Sequence, residues 1–254
     1  MSVSPQVEAA LERIAQQPGH VGFYYKDLTD GSSAGFQEYE PIVAASVIKI
    51  PILVEFFEQM QEGTLFPDEE FVIRQEDKLP SCGALNYMHA GLHVSALDLA
   101  TLMIILSDNT ATNLLIKRVG MDNVNRRMRM LGCQGITLRR LLFDSEASAR
   151  GIENTVTAYD IALLLRKMQE GELPYSEKML QILRNQRLNG KIPFWLHGIP
   201  IAHKTGEDDG ITHDCGIIYT EKPFIVCFLA EQTDVPAFER CIQEISRDLA
   251  ESAK

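Results

Sequence analysis

Two side chains with complementary acid–base chemistry lie three residues apart in the segment VAASVIKIPI. Ser46 carries a hydroxyl, which is a weak nucleophile until a neighbouring base removes its proton. Lys49 follows one helical turn later, so both side chains face the same way on a helix. The surrounding residues are apolar. Removal from water lowers the pKa of a lysine, so that its amine can act as a base. The spacing therefore indicates a serine nucleophile with a lysine base, although a helix-capping serine beside a solvated lysine would share the pattern.

Two further polar triplets stand in apolar surroundings. Residues 107–109 read Ser-Asp-Asn and directly follow the apolar run LMIIL, whereas residues 204–206 read Lys-Thr-Gly and end a strand-like segment. Each triplet alone has an ordinary interpretation, as a helix end or a strand terminus. Polar groups enclosed between apolar segments need hydrogen-bond partners, and a facing catalytic site supplies them. The three motifs in this order therefore favour one shared active site.

The elements that position these motifs change character along the chain. Strand-like patterns occur at 21–28, 32–42, 201–206, 214–220 and 224–232, the first two joined by an Asp-Gly turn signal. Helical patterns occur at 5–17, 44–62, 96–132, 157–171, 176–186 and 236–252.

This order predicts an α+β fold. Residues 1–60 together with 196–254 are expected to form a five-stranded, mostly antiparallel sheet covered by helices. Residues 61–195 are expected to form an all-helical subdomain, with the active site in the cleft between the two parts.

Composition excludes several classes of function. The 254 residues carry a formal charge of −11 without a Lys/Arg-rich block, which argues against a nucleic-acid or membrane partner.

The five cysteines are scattered without CxxC spacing and are expected to be reduced core thiols. Dinucleotide, phosphate-loop and zinc-protease signatures are missing, so no cofactor and no metal are expected. The oligomeric state has no signal in the sequence.

Localisation follows from the start of the sequence. No signal peptide or membrane-spanning run is recognisable, which predicts a soluble, cytoplasmic protein as written. A periplasmic or secreted protein trimmed of its leader would have the same sequence.

The segments SVIK, SDN and KTG together resemble those of the penicillin-recognising serine hydrolases, most closely the class A β-lactamases. SDNTATNLL is similar to the SDN helix of that family, and HDCGIIY resembles its last strands. The resemblance extends over nearly the whole chain and is closer still to a β-lactamase-like branch without a secretion signal. It implies the β-lactamase/transpeptidase fold and cleavage of a small β-lactam or peptide-like amide.

The resemblance also implies roles for individual residues. Ser46 would attack the amide carbonyl and become acylated, with Lys49 as the candidate base. Ser107 would pass a proton to the departing nitrogen, and Asn109 would hold Lys49 and a substrate amide. Lys204 would bind a substrate carboxylate and polarise Ser107.

Residues next to Lys204 complete the expected site. Thr205 would share the substrate carboxylate, and Gly206 would also belong to the substrate-binding site. The backbone N–H groups of Ser46 and Glu207 would form an oxyanion hole. The acidic stretch EDDG begins at Glu207 and is expected to disfavour a strongly anionic substrate nearby.

The family pattern breaks in the stretch LRRLLFDSEASARGIENTVT. Class A enzymes carry a Glu-x-x-Leu-Asn motif there, whose glutamate activates the water that hydrolyses the acyl-enzyme, and this motif is missing. Counting back from NTVT without gaps places Leu141 at the glutamate position. Asp144 or Glu146 could replace the glutamate, whereas Glu153 and Asn154 are expected to anchor the loop.

Because the Glu-x-x-Leu-Asn motif is missing, three functions are compatible with the sequence. The first is a hydrolase of β-lactamase type that opens β-lactams through acyl-Ser46. The second is a penicillin-binding protein or sensor that is acylated without efficient deacylation. The third is a peptidase or esterase acting on D-amino-acid peptides or other acyl substrates.

Overall fold

The computed structural model describes residues 3–253. The α-helices are α1 (Pro5–Ala15), α2 (Lys49–Gln61), α3 (Ala96–Ile105), α4 (Asn109–Val119), α5 (Met121–Met130), α6 (Ser145–Ala149), α7 (Ala158–Gln169), α8 (Ser176–Arg184) and α9 (Val235–Ser252). The strands are β1 (His20–Asp27), β2 (Ser33–Phe36), β3 (Ile42–Val43), β4 (Glu70–Ile73), β5 (Leu92–Ser95), β6 (Thr155–Val156), β7 (Ile201–Asp208), β8 (Ile211–Ile218) and β9 (Phe224–Glu231).

The large sheet is built from both ends of the chain. Its strands run in the order β2-β1-β9-β8-β7, and every neighbouring pair is antiparallel. The predicted turn joins β1 to β2, and Gly31 there has a φ of 78°, which glycine adopts without steric cost. The predicted five-stranded antiparallel sheet is therefore confirmed, and β7 forms one of its edges.

Apolar side chains cover both faces of this sheet. Phe23 and Tyr24 are successive residues of β1 and enter different core clusters, as the two-residue period of a strand requires. One cluster joins the sheet to α1 and α9, where Phe23 and Phe228 pack with ring centroids 5.2 Å apart. The other cluster joins it to α7, α8 and the apolar helix α2. Among residues 3–253, no helix is both long and apolar enough to cross a membrane.

Two short sheets add to the helices of the middle segment. β4 pairs with β5, and β3 pairs with β6, both in antiparallel register. These strands are two to four residues long, too short to give a periodic signal in the sequence. The β3–β6 pair holds residues 154–156 beside the segment that leads into Ser46.

Ser46 lies in a 3₁₀ helix, Ala45–Ile48, which continues directly into α2. Ala45 opens this turn with a φ of 40°, an unfavourable conformation for a residue with a Cβ atom. Pro51 is the third residue of α2 and therefore lies in the first turn, where backbone N–H groups lack a partner within the helix. Proline is tolerated there, and the predicted helix continues to Gln61.

Candidate active site

The amine of Lys49 lies at the centre of the candidate site. Its Nζ atom is 2.9 Å from Ser46 Oγ, 2.8 Å from Ser107 Oγ and 2.9 Å from Asn109 Oδ1. A further contact of 2.9 Å joins Nζ to the backbone carbonyl of Ser107. An uncharged lysine has two N–H donors and one lone pair, and a serine hydroxyl can donate or accept. The arrangement therefore fits a neutral amine that accepts a hydrogen bond from a serine hydroxyl.

The Ser-Asp-Asn turn between α3 and α4 is held by its middle residue. Asp108 Oδ1 accepts a hydrogen bond of 2.9 Å from the backbone N–H of Ala111, which caps α4. Its Oδ2 accepts from the N–H groups of Ala84 and Leu85, at 2.7 and 2.9 Å. Ser107 has a φ of 52°, a conformation that costs free energy and persists where the surroundings impose it. Asp108 thus fixes the turn that presents the Ser107 hydroxyl.

Lys204 approaches the same hydroxyl from the sheet. Its Nζ atom lies 3.1 Å from Ser107 Oγ and donates to the carbonyl of Thr205 at 2.7 Å. β7 is an edge strand, and it packs against the turn that contains Ser46 and against α8. We refer to Ser46, Lys49, Ser107, Asn109 and Lys204 as the polar floor.

Gly206 lets the edge of β7 approach the Ser46 turn. A Cβ atom at Gly206 would lie 3.3 Å from the backbone nitrogen of Ser46, so a larger residue would crowd the turn. Glu207 follows at the end of the strand, where its exposed carboxylate lies 3.0 Å from the Nζ atom of Lys191. The close packing at Gly206 brings the backbone of Glu207 towards Ser46.

Burial sets the charge of the two lysines in the polar floor. Lys49 has no exposed surface, and burial, followed by the nearby charge of Lys204, lowers its pKa well below the ordinary value. Burial also lowers the pKa of Lys204 to about 7, with Asp214 opposing the shift and Lys191 adding to it. Burial therefore favours the uncharged form of the Lys49 amine, whereas Lys204, with a pKa of about 7, is divided between its charged and uncharged forms at neutral pH.

A cavity of about 520 Å³ opens in front of Ser46. This volume accommodates a drug-sized ligand. Its lining comes from the Ser46 turn, residues 81–82, the first residue of α4, the loop 139–154 and the end of β7. The loop 139–154, which we refer to as the wall loop, contributes Arg140, Leu142, Phe143, Asp144, Ser145, Ser148, Glu153 and Asn154.

The ends of the wall loop are joined by an ion pair. The guanidinium of Arg140 donates two hydrogen bonds to Glu153 Oε2, at 2.6 and 2.9 Å. The hydroxyl of Ser148 donates to Glu153 Oε1 at 2.5 Å. Asn154 Oδ1 accepts from the backbone N–H groups of Arg139 and Arg140, at 2.7 and 3.1 Å. Glu153 and Asn154 therefore anchor the loop, as predicted.

The position of the wall-loop leucines corrects the sequence count by one residue. Leu142 lines the cavity, whereas Leu141 does not. The side-chain amide of Asn113 fixes Leu142 by accepting from its N–H and donating to its carbonyl, both at 2.9 Å. Counting without gaps assumed a fixed loop length, whereas the backbone here turns at Phe143, which has a φ of 61°.

The two predicted substitutes for the missing glutamate differ in position. Asp144 lines the cavity, and its Oδ1 atom accepts a hydrogen bond of 2.9 Å from the N–H of Ala147 at the start of α6. Glu146 is exposed to solvent and is not among the residues that line the cavity. Asp144 is therefore the better placed of the two for chemistry at Ser46.

The histidines near the site have structural partners. His203 Nδ1 lies 2.9 Å from Asp214 Oδ1. His213 donates from Nε2 to the carbonyl of Val43 at 2.8 Å and accepts at Nδ1 from the N–H of Ala230 at 3.0 Å. Burial lowers the pKa of His213 to about 4, so it is neutral. Within residues 3–253, no group of three or more His, Cys, Asp or Glu side chains is arranged to hold a metal ion.

The structure brings all five side chains of the polar floor together, as the motifs predicted. Sequence reasoning missed Asn113 and Arg140. Asn113 lies one helical turn after Asn109, so its position on the same face of α4 was a usable signal. Arg140 had no local signal, because its partner Glu153 lies 13 residues away.

The comparisons with known proteins agree on one family. The model of the β-lactamase enzyme family matches residues 4–253. A curated relative, β-lactamase L2 of Stenotrophomonas maltophilia, is 29% identical over 182 residues, which make up 71% of this chain and 57% of that protein. The match thus spans little more than half the length of that relative.

Two solved structures resemble the chain over nearly its whole length. A β-lactamase from Sphaerobacter thermophilus is 29% identical, with a TM-score of 0.89 over 100% of this chain and 98% of the other. The protein PBP-A is also 29% identical, with a TM-score of 0.88 over 98% of this chain and 96% of the other.

Proposed function

The chain belongs to the β-lactamase enzyme family, and we propose that it is a serine hydrolase that opens β-lactam amides through an acyl-enzyme on Ser46. The observation that carries the proposal is the 2.9 Å contact between Ser46 Oγ and the fully buried amine of Lys49. A serine hydroxyl needs a base within hydrogen-bond reach, and an uncharged lysine can serve as that base.

Acylation begins when Lys49 accepts the proton of the Ser46 hydroxyl. The freed Oγ attacks the amide carbonyl, and the carbon–oxygen bond forms as the carbonyl electrons move onto its oxygen. The backbone N–H groups of Ser46 and Glu207 would stabilise this negative charge, since the close approach at Gly206 brings the two segments together. The negative charge is held by preorganised donors, which lowers the barrier to attack.

Cleavage of the carbon–nitrogen bond requires a proton for the departing nitrogen. Ser107 is the proposed donor, because its hydroxyl contacts the amines of both Lys49 and Lys204. The proton taken from Ser46 passes from Lys49 through Ser107 to the departing nitrogen, so no net proton is gained or lost in this step. Lys204 in its charged form and Thr205 would bind the substrate carboxylate.

Hydrolysis of the acyl-enzyme requires an activated water molecule. Asp144 is the proposed base for this step, because it is the candidate wall-loop carboxylate that lines the cavity without an ion-pair partner among the described residues. Its second oxygen atom has no hydrogen-bond partner within residues 3–253, and only Oδ1 caps α6.

A second candidate function is acylation without efficient hydrolysis. It is favoured by Leu142, an apolar residue that lines the cavity on the wall loop, and by Glu153, whose two oxygen atoms are occupied by Arg140 and Ser148. PBP-A is 29% identical to this chain, and a variant of that protein has been solved as an acyl-enzyme complex with penicillin G.

One kinetic experiment tests both candidates. The protein is mixed with a large excess of a chromogenic cephalosporin, and ring opening is followed by absorbance. Sustained turnover supports the hydrolase, whereas a burst of one equivalent followed by a plateau supports the second candidate. Ser46→Ala should show neither phase, and Ser33→Ala, an exposed serine of β2, should behave as wild type. Equal ring opening by wild type and Ser46→Ala would exclude both.

A further inference from the structure

The rim of the cavity carries more negative than positive charge. Asp144 and Glu153 line it on the wall loop, and Glu207 and Asp208 line it at the end of β7. Arg140 is the lining cation. The two lysines of the polar floor are fully buried beneath the cavity and are separate from this rim.

Two of these carboxylates are already neutralised. Glu153 accepts hydrogen bonds from both Nε and Nη2 of Arg140, so this ion pair contributes no net charge. Glu207 lies 3.0 Å from the amine of the buried Lys191. Arg140 at the rim and the buried Lys191 are therefore paired with two of the four rim carboxylates.

The other two carboxylates have no cationic partner within 4 Å among residues 3–253. Asp144 accepts a backbone N–H from Ala147, and Asp208 accepts one from Asp209, at 2.9 Å in each case. Both side chains are exposed and belong to different elements, the wall loop and β7. Their charges therefore add up over the mouth of the cavity.

We infer that this site selects substrates whose acyl side chain carries a positive charge, with Asp208 as a specificity-determining residue. The inference rests on the proposed acylation of Ser46. A cationic substituent beyond the scissile amide would be attracted by Asp208 and Asp144, and an anionic substituent would be repelled. Leu142 and the half-exposed Phe143 offer an apolar surface beside these charges, so a ring next to the ammonium group fits the same mouth.

The test uses three penicillins that differ at one position of the side chain. Ampicillin carries an ammonium group there, benzylpenicillin a hydrogen and carbenicillin a carboxylate, whereas the phenyl ring and the ring carboxylate are common to all three. The second-order rate constant for acylation of Ser46 is measured by quenched-flow mass spectrometry. This readout is independent of deacylation and therefore of any role of Asp144 in that step.

Asp208→Asn is compared with Asp209→Asn, which removes the same charge from a neighbouring exposed residue outside the cavity lining. Asp208→Asn should lower the ratio of the ampicillin to the carbenicillin rate constant about threefold, as expected for one exposed charge. Asp209→Asn should change this ratio less, and Asp208→Lys should reverse the preference. The effects should shrink at high ionic strength.

The outcomes separate the inference from the proposed function. If all three penicillins acylate Ser46 and the ratio of the ampicillin to the carbenicillin rate constant is the same in wild type, Asp208→Asn and Asp208→Lys, the inference is overturned. The proposed function is then left intact. Equal changes in Asp208→Asn and Asp209→Asn also overturn it, because they would reflect net charge alone. Failure of all three penicillins to acylate Ser46 overturns the proposed function together with the inference.

Discussion

The polar floor and the wall loop are adjacent regions of one cavity with opposite arrangements of polar groups. In the floor, the side chains of Lys49 and Ser107 contact the reactive groups of other segments, and they are buried. In the wall loop, Arg140 and Ser148 both donate hydrogen bonds to Glu153, a residue of the same loop. The floor therefore joins side chains of different segments, whereas these wall-loop groups hold one loop in place.

This difference separates two chemical steps. In the proposed mechanism, acylation depends on the floor, whose groups come from three distant segments and are oriented by α2, α4 and β7. In the same proposed mechanism, deacylation depends on the wall-loop residues near the acyl group, and Leu142 and Asp144 are the two that line the cavity there in place of the missing glutamate. Loops accept substitution more readily than buried elements, so the second step can vary while the first is retained.

Removing the floor amine should have the largest effect. Lys49→Ala should lower the second-order rate constant for acylation by about 10²- to 10⁴-fold, the usual contribution of a general base. Quenched-flow mass spectrometry with benzylpenicillin measures this constant. Lys117→Ala, which removes an exposed lysine of α4, is the control. An acylation rate in Lys49→Ala equal to that of the control would show that another group takes the proton.

Adding a carboxylate to the wall loop should change deacylation, the step that the polar floor does not control in the proposed mechanism. Leu142→Glu is expected to speed deacylation about 10²-fold, because its side chain would place a base in the cavity beside the acyl group. The decay of the acyl-enzyme after removal of excess penicillin measures this step. Leu142→Gln has the same length without an ionisable group, so an equal acceleration in both variants would contradict the explanation.

The floor should also control the pH dependence of acylation. Lys204 attracts the substrate carboxylate while charged, so this attraction is present at low pH and lost as pH rises through about 7. The proposed base role requires an uncharged Lys49, and burial favours that form because it lowers the pKa of the amine well below its ordinary value. The second-order rate constant should therefore fall above about pH 7, roughly tenfold per pH unit.

Lys204→Arg tests this assignment, because a guanidinium stays charged throughout the accessible range. The alkaline fall should move to higher pH in the variant, and its midpoint, rather than the height of the profile, is the readout. An unchanged midpoint would assign the fall to a different group.

The smallest effect is expected for the ion pair that closes the wall loop. Arg140→Gln should lower the free energy of unfolding by about 1–2 kcal/mol, since it leaves the partly buried Glu153 without its charged partner. Denaturant titration measures this change. Arg139→Gln, an exposed neighbour, should change stability by less than about 0.5 kcal/mol. Equal stabilities of the two variants would show that the pair does not hold the loop.

The two regions also differ in how well they could be predicted from sequence. The polar floor was predictable because Ser46, Lys49 and Lys204 stand in short motifs inside apolar segments. The strands of the large sheet were predictable from alternation and an Asp-Gly turn. The place of Pro51 in the first turn of α2 was not predictable, because the sequence does not reveal that this helix begins at Lys49, after a 3₁₀ turn.

The wall loop was less predictable, since its geometry depends on contacts between residues far apart in the chain. The pairing of Arg140 with Glu153 closes a loop that has no periodic signal. Asn113 reaches Leu142 from a helix 29 residues earlier, which determines which leucine lines the cavity. Such contacts form only after the helices and strands have packed, and no local pattern records them.

Intact-protein mass spectrometry over time with benzylpenicillin tests the formation of acyl-Ser46 most directly. We expect wild-type protein to gain the mass of one whole penicillin within the first time points, with the adduct mapped to the peptide that contains Ser46 and missing from Ser46→Ala. An unmodified wild-type protein at every time point together with unconsumed benzylpenicillin, or an equal adduct in Ser46→Ala, would contradict the central role of the Ser46–Lys49 pair.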